Sequence, residues 1–167
     1  MSIHSFLSMV QDLPLSAAVR GDDPDMVWAF PIIETLHIFA LSTVFGSIAL
    51  LDMRLLGWLS VNNPVSKLAR GTLPVTWTAW GCAAVTGSLL FMSKATTYAG
   101  NLQFQLKFVM MGLAALNMLV FHFGPYRHVD SWDSAQTPPT SARFAGALSL
   151  ALWTAVIFFG RWTGFTT

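Results

Sequence analysis

Charge is the scarcest property of this sequence. Only 10% of its 167 residues are Asp, Glu, Lys or Arg, nine bases against eight acids, so there is no basic field to hold a phosphate backbone and no acidic tail to repel one. Nucleic acid is therefore not an expected partner. Cysteine is nearly absent as well: Cys82 stands alone in an apolar stretch, can form no internal disulfide, and is expected to serve as a small packing residue. A Gly-rich phosphate loop, a paired carboxylate dyad and a Ser-His-Asp pattern are all missing, which sets aside the catalysis typical of soluble enzymes. The N-terminal stretch lacks the basic start of a signal peptide, and Gln11, Asp12 and Pro14 interrupt its apolar positions.

Hydrophobicity is what the chain has in excess. With 54% apolar residues and a mean hydropathy of +0.56, it falls in the membrane class, as one domain over residues 1–167. Four apolar runs are each long enough to cross a bilayer core of about 30 Å: residues 27–51, 72–93, 104–123 and 143–165. Ahead of them, Ile3, Phe6, Leu7 and Val10 recur at helical spacing, so residues 2–19 are expected to form one amphipathic helix in the headgroup plane. Gly81, Ala84 and Ser88 in the second run, and Ala142 with Gly146 in the fourth, are small-residue sets that let helices approach closely. The expected fold is all-α, an integral membrane up-down four-helix bundle with an N-terminal interfacial amphipathic helix. Four spans place both ends of the chain on one side. Five bases (Arg54, Lys67, Arg70, Arg127, Arg143) on the side of the first and third connections, against four on the other, favour termini outside.

The first crossing carries Glu34 and His37 where lipid would be, and alternating spans sort the remaining polar residues by depth. One layer, near the termini, collects Glu34, His37, Lys107 and Arg161; the opposite layer collects Asp52, Arg54, His122 and Arg143. Glu34 and Asp52 are eighteen residues apart, as are Arg143 and Arg161, so an acid of the first span can face an arginine of the fourth at both ends. Two readings of these groups stand side by side. The bases can snorkel and anchor each helix at its height. Intramembrane ionisable residues are costly, however, and commonly mark a site.

The chemistry open to the first layer is limited. Glu-x-x-His is half of a di-iron motif whose second half is missing, and no neighbouring His or Cys completes a zinc or copper site. His37 and His122 lie too far apart in depth to share a haem. A haem b on His37 alone, with Met92, Met110 or Met111 as a second ligand and Lys107 or Arg161 for its propionates, fits the register. So does a quinone accepting from His37 or Lys107, with Glu34 as a proton route. His37, not His122, is the expected ligand-bearing histidine.

Several motifs taken together resemble a family of small four-helix bacterial inner-membrane proteins that has no assigned function. They are Trp28-x5-Glu34-x2-His37, Leu51-Asp52-Met53-Arg54-Leu55-Leu56-Gly57, Thr86-Gly87-x2-Leu90-Phe91, Lys107, Asn117 with Phe121-His122, and Ala142-Arg143-Phe144-x-Gly146 through Gly160-Arg161. The resemblance implies a multi-pass bacterial inner-membrane protein with these polar positions as characteristic ones. A fainter likeness to cytochrome b-type membrane subunits rests on four helices and buried histidines. The expected function is a small redox-linked membrane subunit binding haem b or quinone near the outer face, beside a larger membrane or periplasmic partner. The alternatives are a cofactor-free structural or assembly subunit, and a proton or ion pathway; a homo-oligomer is compatible with each.

Overall fold

The computed structural model describes residues 2–166, and among these the chain is all helix, turn and coil. The N-terminal segment forms two helices where one was expected. α1 (Ile3–Gln11) opens at Ser2, whose hydroxyl accepts the Ser5 N–H, and cannot run on because Pro14 lacks a donor. Pro14 instead starts α2 (Pro14–Arg20), which closes at Gly21 with φ +78°. A 3-10 turn, Pro24–Met26, capped by the Asp23 carboxylate, leads into α3 (Ala29–Leu56). α3 ends in a Schellman turn in which Gly57 N–H donates to Arg54 O and Trp58 N–H to Met53 O; Gly57 takes φ +77°, which its missing side chain permits.

The second long helix, α4 (Val65–Ser93), starts seven residues before the expected boundary and encloses Pro74. Its extra turns are held by Asp133, from the far connection, whose two carboxylate oxygens accept the Ser66 N–H and the Ser66 hydroxyl, each at 2.7 Å. A one-and-a-half-turn helix, α5 (Ala95–Gly100), joins it to α6 (Leu102–Phe123), which Asn101 caps by accepting the Phe104 N–H. Gly124-Pro125 stops α6, a 3-10 segment Pro125–Ser131 follows, and α7 (Thr140–Thr166) completes the chain. Four helical stretches are long and apolar enough to span a membrane: Pro24–Leu56, Val65–Ser93, Leu102–Ser131 and Thr140–Thr166. Hydroxyls within them mostly return a hydrogen bond to their own helix, as Thr43 does to Phe39 O and Ser88 to Ala84 O, which satisfies them where water is absent.

The bundle is ordered α4, α3, α7, α6. α3 is the common member, packing on α4 and on α7, and α7 packs on α6. Gly146 of α7 brings its backbone so close to α3 that an added Cβ would stand 3.1 Å from Asp52 O. On α4 the small face that meets α3 is Ala79 and Ala83, with Ser47 and Thr76 hydrogen-bonded at 2.7 Å between them. The expected stripe of Gly81, Ala84 and Ser88 turns away: nothing lies within 4 Å of a Cβ on Gly81, and Ala84 and Ser88 are exposed. α4 carries two small-residue faces, and the polar match of Ser47 to Thr76 selects the other one. The Ala142–Gly146 pair is buried as expected.

α4 and α6 follow one another in the chain yet do not close the ring. They meet only near α5, where Phe91 stacks on Phe104 at 5.5 Å and Tyr98 stacks on the same ring at 5.6 Å, and they splay from there. The N-terminal hairpin is stitched to this same end. Gln11 Oε1 accepts from the Thr96 N–H and hydroxyl, and Arg20 Nη1 donates to Gln11 O and Ser93 O. Arg20 also pairs with Asp22 at 2.6 Å; the bond between them raises the guanidinium pKa and lowers that of the carboxyl.

Candidate functional site

At the end of the bundle near the termini, His37 of α3 points at α4. Its Nδ1 lies 3.0 Å from Thr86 Oγ1, and that hydroxyl sits 2.7 Å from Cys82 O. If the threonine proton goes to the carbonyl, the imidazole must donate from Nδ1, which leaves the Nε2 lone pair open. The ring lies over Gly87, where an added Cβ would come within 2.9 Å of His37 Cε1. Lys107 of α6 drapes over Gly160 of α7 in the same way, 3.5 Å from a would-be Cβ, and its charge reaches the imidazole. Two glycines therefore make room for two basic side chains at one depth.

The rest of the expected layer does not gather around them. Glu34, three residues before His37 and so about 60° round the helix, is exposed. Its charge falls instead on Tyr98, whose hydroxyl pKa is raised first by burial and then by this acid. Arg161 is exposed and lies 5.1 Å over the Phe165 ring. Met110 is half-buried on α6, and Met111 lines a cavity in the other half of the bundle. The acid–arginine pairs expected across α3 and α7 are not formed: among the described residues Arg20–Asp22 is the one ion pair. No group of three or more His, Cys, Asp or Glu able to hold a metal occurs among them either.

The opposite layer also divides. Asp52 and Arg54 are two residues apart, about 200° round α3, and face different surroundings. Arg54 is fully buried and serves the connections: Nε donates to Asn63 O at 2.8 Å, and Nη2 to Ala135 O at 3.0 Å and Asp133 O at 3.4 Å. Around it, Leu55, Val65, Trp132 and Ala142 form the main apolar cluster. His122 is exposed and stacks on Tyr126 at 5.5 Å, and Arg143 is exposed, turned away from Asp52.

Asp52 belongs to a cavity. Where α4 and α6 splay apart, a space of about 550 Å³ runs between all four long helices, lined by Trp77 and Trp80 of α4, Phe108, Met111 and Met118 of α6, and Val44, Ile48, Leu51 and Leu55 of α3. Trp77 and Trp80 meet edge to face at 6.0 Å and are 55% and 43% exposed, so they stand in the gap rather than behind it. The polar groups sit deep: the Asp52 carboxyl with the Ser149 hydroxyl beside it, and Asn117, whose amide donates to Ala145 O at 3.0 Å. Asp52 is only 5% exposed, and its Oδ2 has no hydrogen-bond partner among the described residues. A buried carboxyl oxygen left unpaired costs free energy, which a hydrogen-bonding or charged group entering the cavity would offset. The sequence marked Asp52 and Met111 separately; that they share one space with Trp77 and Trp80 follows from the gap between α4 and α6, which no periodicity shows.

Comparison of the chain with family models, curated proteins and solved structures finds no match in any of the three. The class defined by these observations is a small four-span helical membrane protein.

Proposed function

We propose that this protein takes a lipid-soluble ligand from the bilayer into the cavity between α4 and α6. One observation carries this: a space of about 550 Å³, within the range of drug-sized sites, has an apolar aromatic wall, a deep unpaired carboxyl oxygen and a side open where lipid would lie. The redox-linked subunit expected from the sequence takes this form if the ligand is a quinone. Its ring would lie against Trp77 and Trp80 and its carbonyl would accept from Ser149 or a protonated Asp52, which moves the site from His37 to the other half of the bundle. A haem remains tied to His37, where the open Nε2 supports it. In either case a larger partner would exchange the electrons.

For orientation, the distribution of free bases supports termini outside a bacterial inner membrane. Lys67, Arg70, Arg127 and Arg143 are exposed on the side of the connections; on the other side only Lys94 and Arg161 are free, with Arg20 paired and Lys107 turned into the bundle. The cavity then opens in the cytoplasmic half. An alkaline phosphatase fused to the C-terminus should be active; inactivity would reverse the topology.

The ligand is tested on protein purified with its native lipids. Extraction and mass spectrometry should find a small amphiphile that is depleted by Gly112→Trp, because Gly112 lines the cavity and a Cβ added there meets no heavy atom within 4 Å. Identical extracts from both proteins would refute the cavity site, and a Soret band lost in His37→Ala would favour haem.

A further inference from the structure

We infer that this cavity accepts lipophilic organic cations in exchange for a proton on Asp52, a narrowing that rests on the cavity being a ligand site. Asp52 is the one ionisable side chain among the lining residues. No base is ion-paired with it among the described residues. Arg54, on its own helix, donates to the carbonyls of both connections; Arg143 of α7 is exposed; His122 of α6 is exposed and stacked on Tyr126; Lys107 lies against Gly160 in the opposite half. From α7 only Ser149 and the bare Gly146 face it, and α4 contributes Thr72 and Thr76 to the same space, with no charge.

A carboxyl in this setting has two ways to avoid an uncompensated charge in a medium of low dielectric. It holds a proton, or it holds a cation. Fatty acids and lipid phosphates are excluded, since the cavity lining offers no base to receive them. The walls choose among cations. Two tryptophans with Phe108 and Phe121 present aromatic faces, which attract quaternary ammonium and phosphonium centres, while Met111 and Met118 adapt to irregular apolar substituents. A small hydrated metal ion would find one carboxylate and two or three neutral oxygens, too few hard donors to replace its water. Proton and cation thus compete for a single carboxylate, and one proton leaves for each cation bound.

The test uses the full chain in lipid nanodiscs with tetraphenylphosphonium as the probe and triphenylphosphine oxide, a neutral molecule with similar aryl groups, as the comparison. Tetraphenylphosphonium should bind saturably, quench tryptophan fluorescence, release about one proton in unbuffered solution, and weaken about tenfold for each unit by which the pH is lowered. Asp52→Asn should cost more than tenfold in affinity and abolish the pH dependence, and Asp52→Glu should restore part of both. Lys94→Gln, at the far end, should change neither. Proton release by the wild type gives a result even if Asp52→Asn fails to fold. Binding that is insensitive to pH, or binding of the neutral oxide alone, would overturn the cation proposal while leaving the cavity site standing. Failure of both probes, with no effect of Gly112→Trp on either, would remove the cavity site as well.

Discussion

Replacing Arg54 with methionine should unpick one end of the molecule. The guanidinium is fully buried, and it holds Asn63 O from the first long connection and Ala135 O from the third at 2.8 and 3.0 Å, with Asp133 O at 3.4 Å. A hydrogen bond from a charged donor contributes about 1.5–3 kcal/mol, so the two short bonds together contribute about 3–6 kcal/mol. The desolvation of the guanidinium subtracts from this, and its Nη1 has no partner among the described residues to offset that cost. Methionine keeps the apolar stem but leaves buried carbonyls unsatisfied, so a net loss of about 3 kcal/mol is expected. Titration with SDS in mixed micelles, followed by circular dichroism, measures it. Limited proteolysis should show new cleavage between residues 132 and 139 in the variant, and Arg54→Lys, with one donor group in place of a fork, should fall between the two. Wild-type stability in Arg54→Met, to within about 0.5 kcal/mol, would show that the connections are held by the Leu55–Trp132 cluster and not by the arginine.

Three further outcomes are expected. Gly87→Ala places a methyl group 2.9 Å from His37 Cε1 and should cost about 1–3 kcal/mol as the ring is forced off Thr86, whereas Gly46→Ala, with nothing within 4 Å, should be neutral or slightly stabilising in the same titration. Burial pushes the Asp133 carboxyl up, but the bonds from Ser66, with a smaller effect of the Arg54 charge, outweigh it and hold its pKa below the usual value. Its stabilisation is therefore full above the unfolded value near pH 4 and lost as pH falls through the folded one, so Asp133→Ala should cost about 1 kcal/mol at pH 7 and progressively less in acid; an equal cost at both pH values would exclude the ionised cap. Gln11→Ala removes the acceptor for Thr96 and should free the N-terminal hairpin, seen as faster hydrogen exchange across α1 and α5 with α3 and α7 unchanged.

The four crossings and the two-sided layout were legible because apolar length and period are written locally, residue by residue. Boundaries set by distant groups were not. α4 gains its first two turns from Asp133, 67 residues away in sequence, and nothing near Val65 announces that cap. Depth was legible too: His37 and Lys107 share a level. Direction round each helix was the weaker inference, since it depends on which neighbours a helix has. Glu34 and Arg161 are expected to face each other between the first and fourth spans; those helices do pack together, yet both side chains lie on exposed faces. Asp52 and Arg54 read as one ordinary helix-end pair; they are a cavity wall and a tie between connections because 200° separates them.

The short helix α5 joins α4 to α6 at the end where the two meet, and the Phe91–Phe104 stack there fixes the pivot from which they diverge. Exchange between the cavity and the bilayer then breaks no helix–helix interface and needs no domain motion on the microsecond to millisecond scale. Reorientation of Trp77 and Trp80, partly exposed side chains that turn over in nanoseconds, is motion enough. On the proposed reading, such a vestibule would not retain its guest against the membrane; it would equilibrate with it, and its occupancy would follow the concentration of the guest in the surrounding lipid.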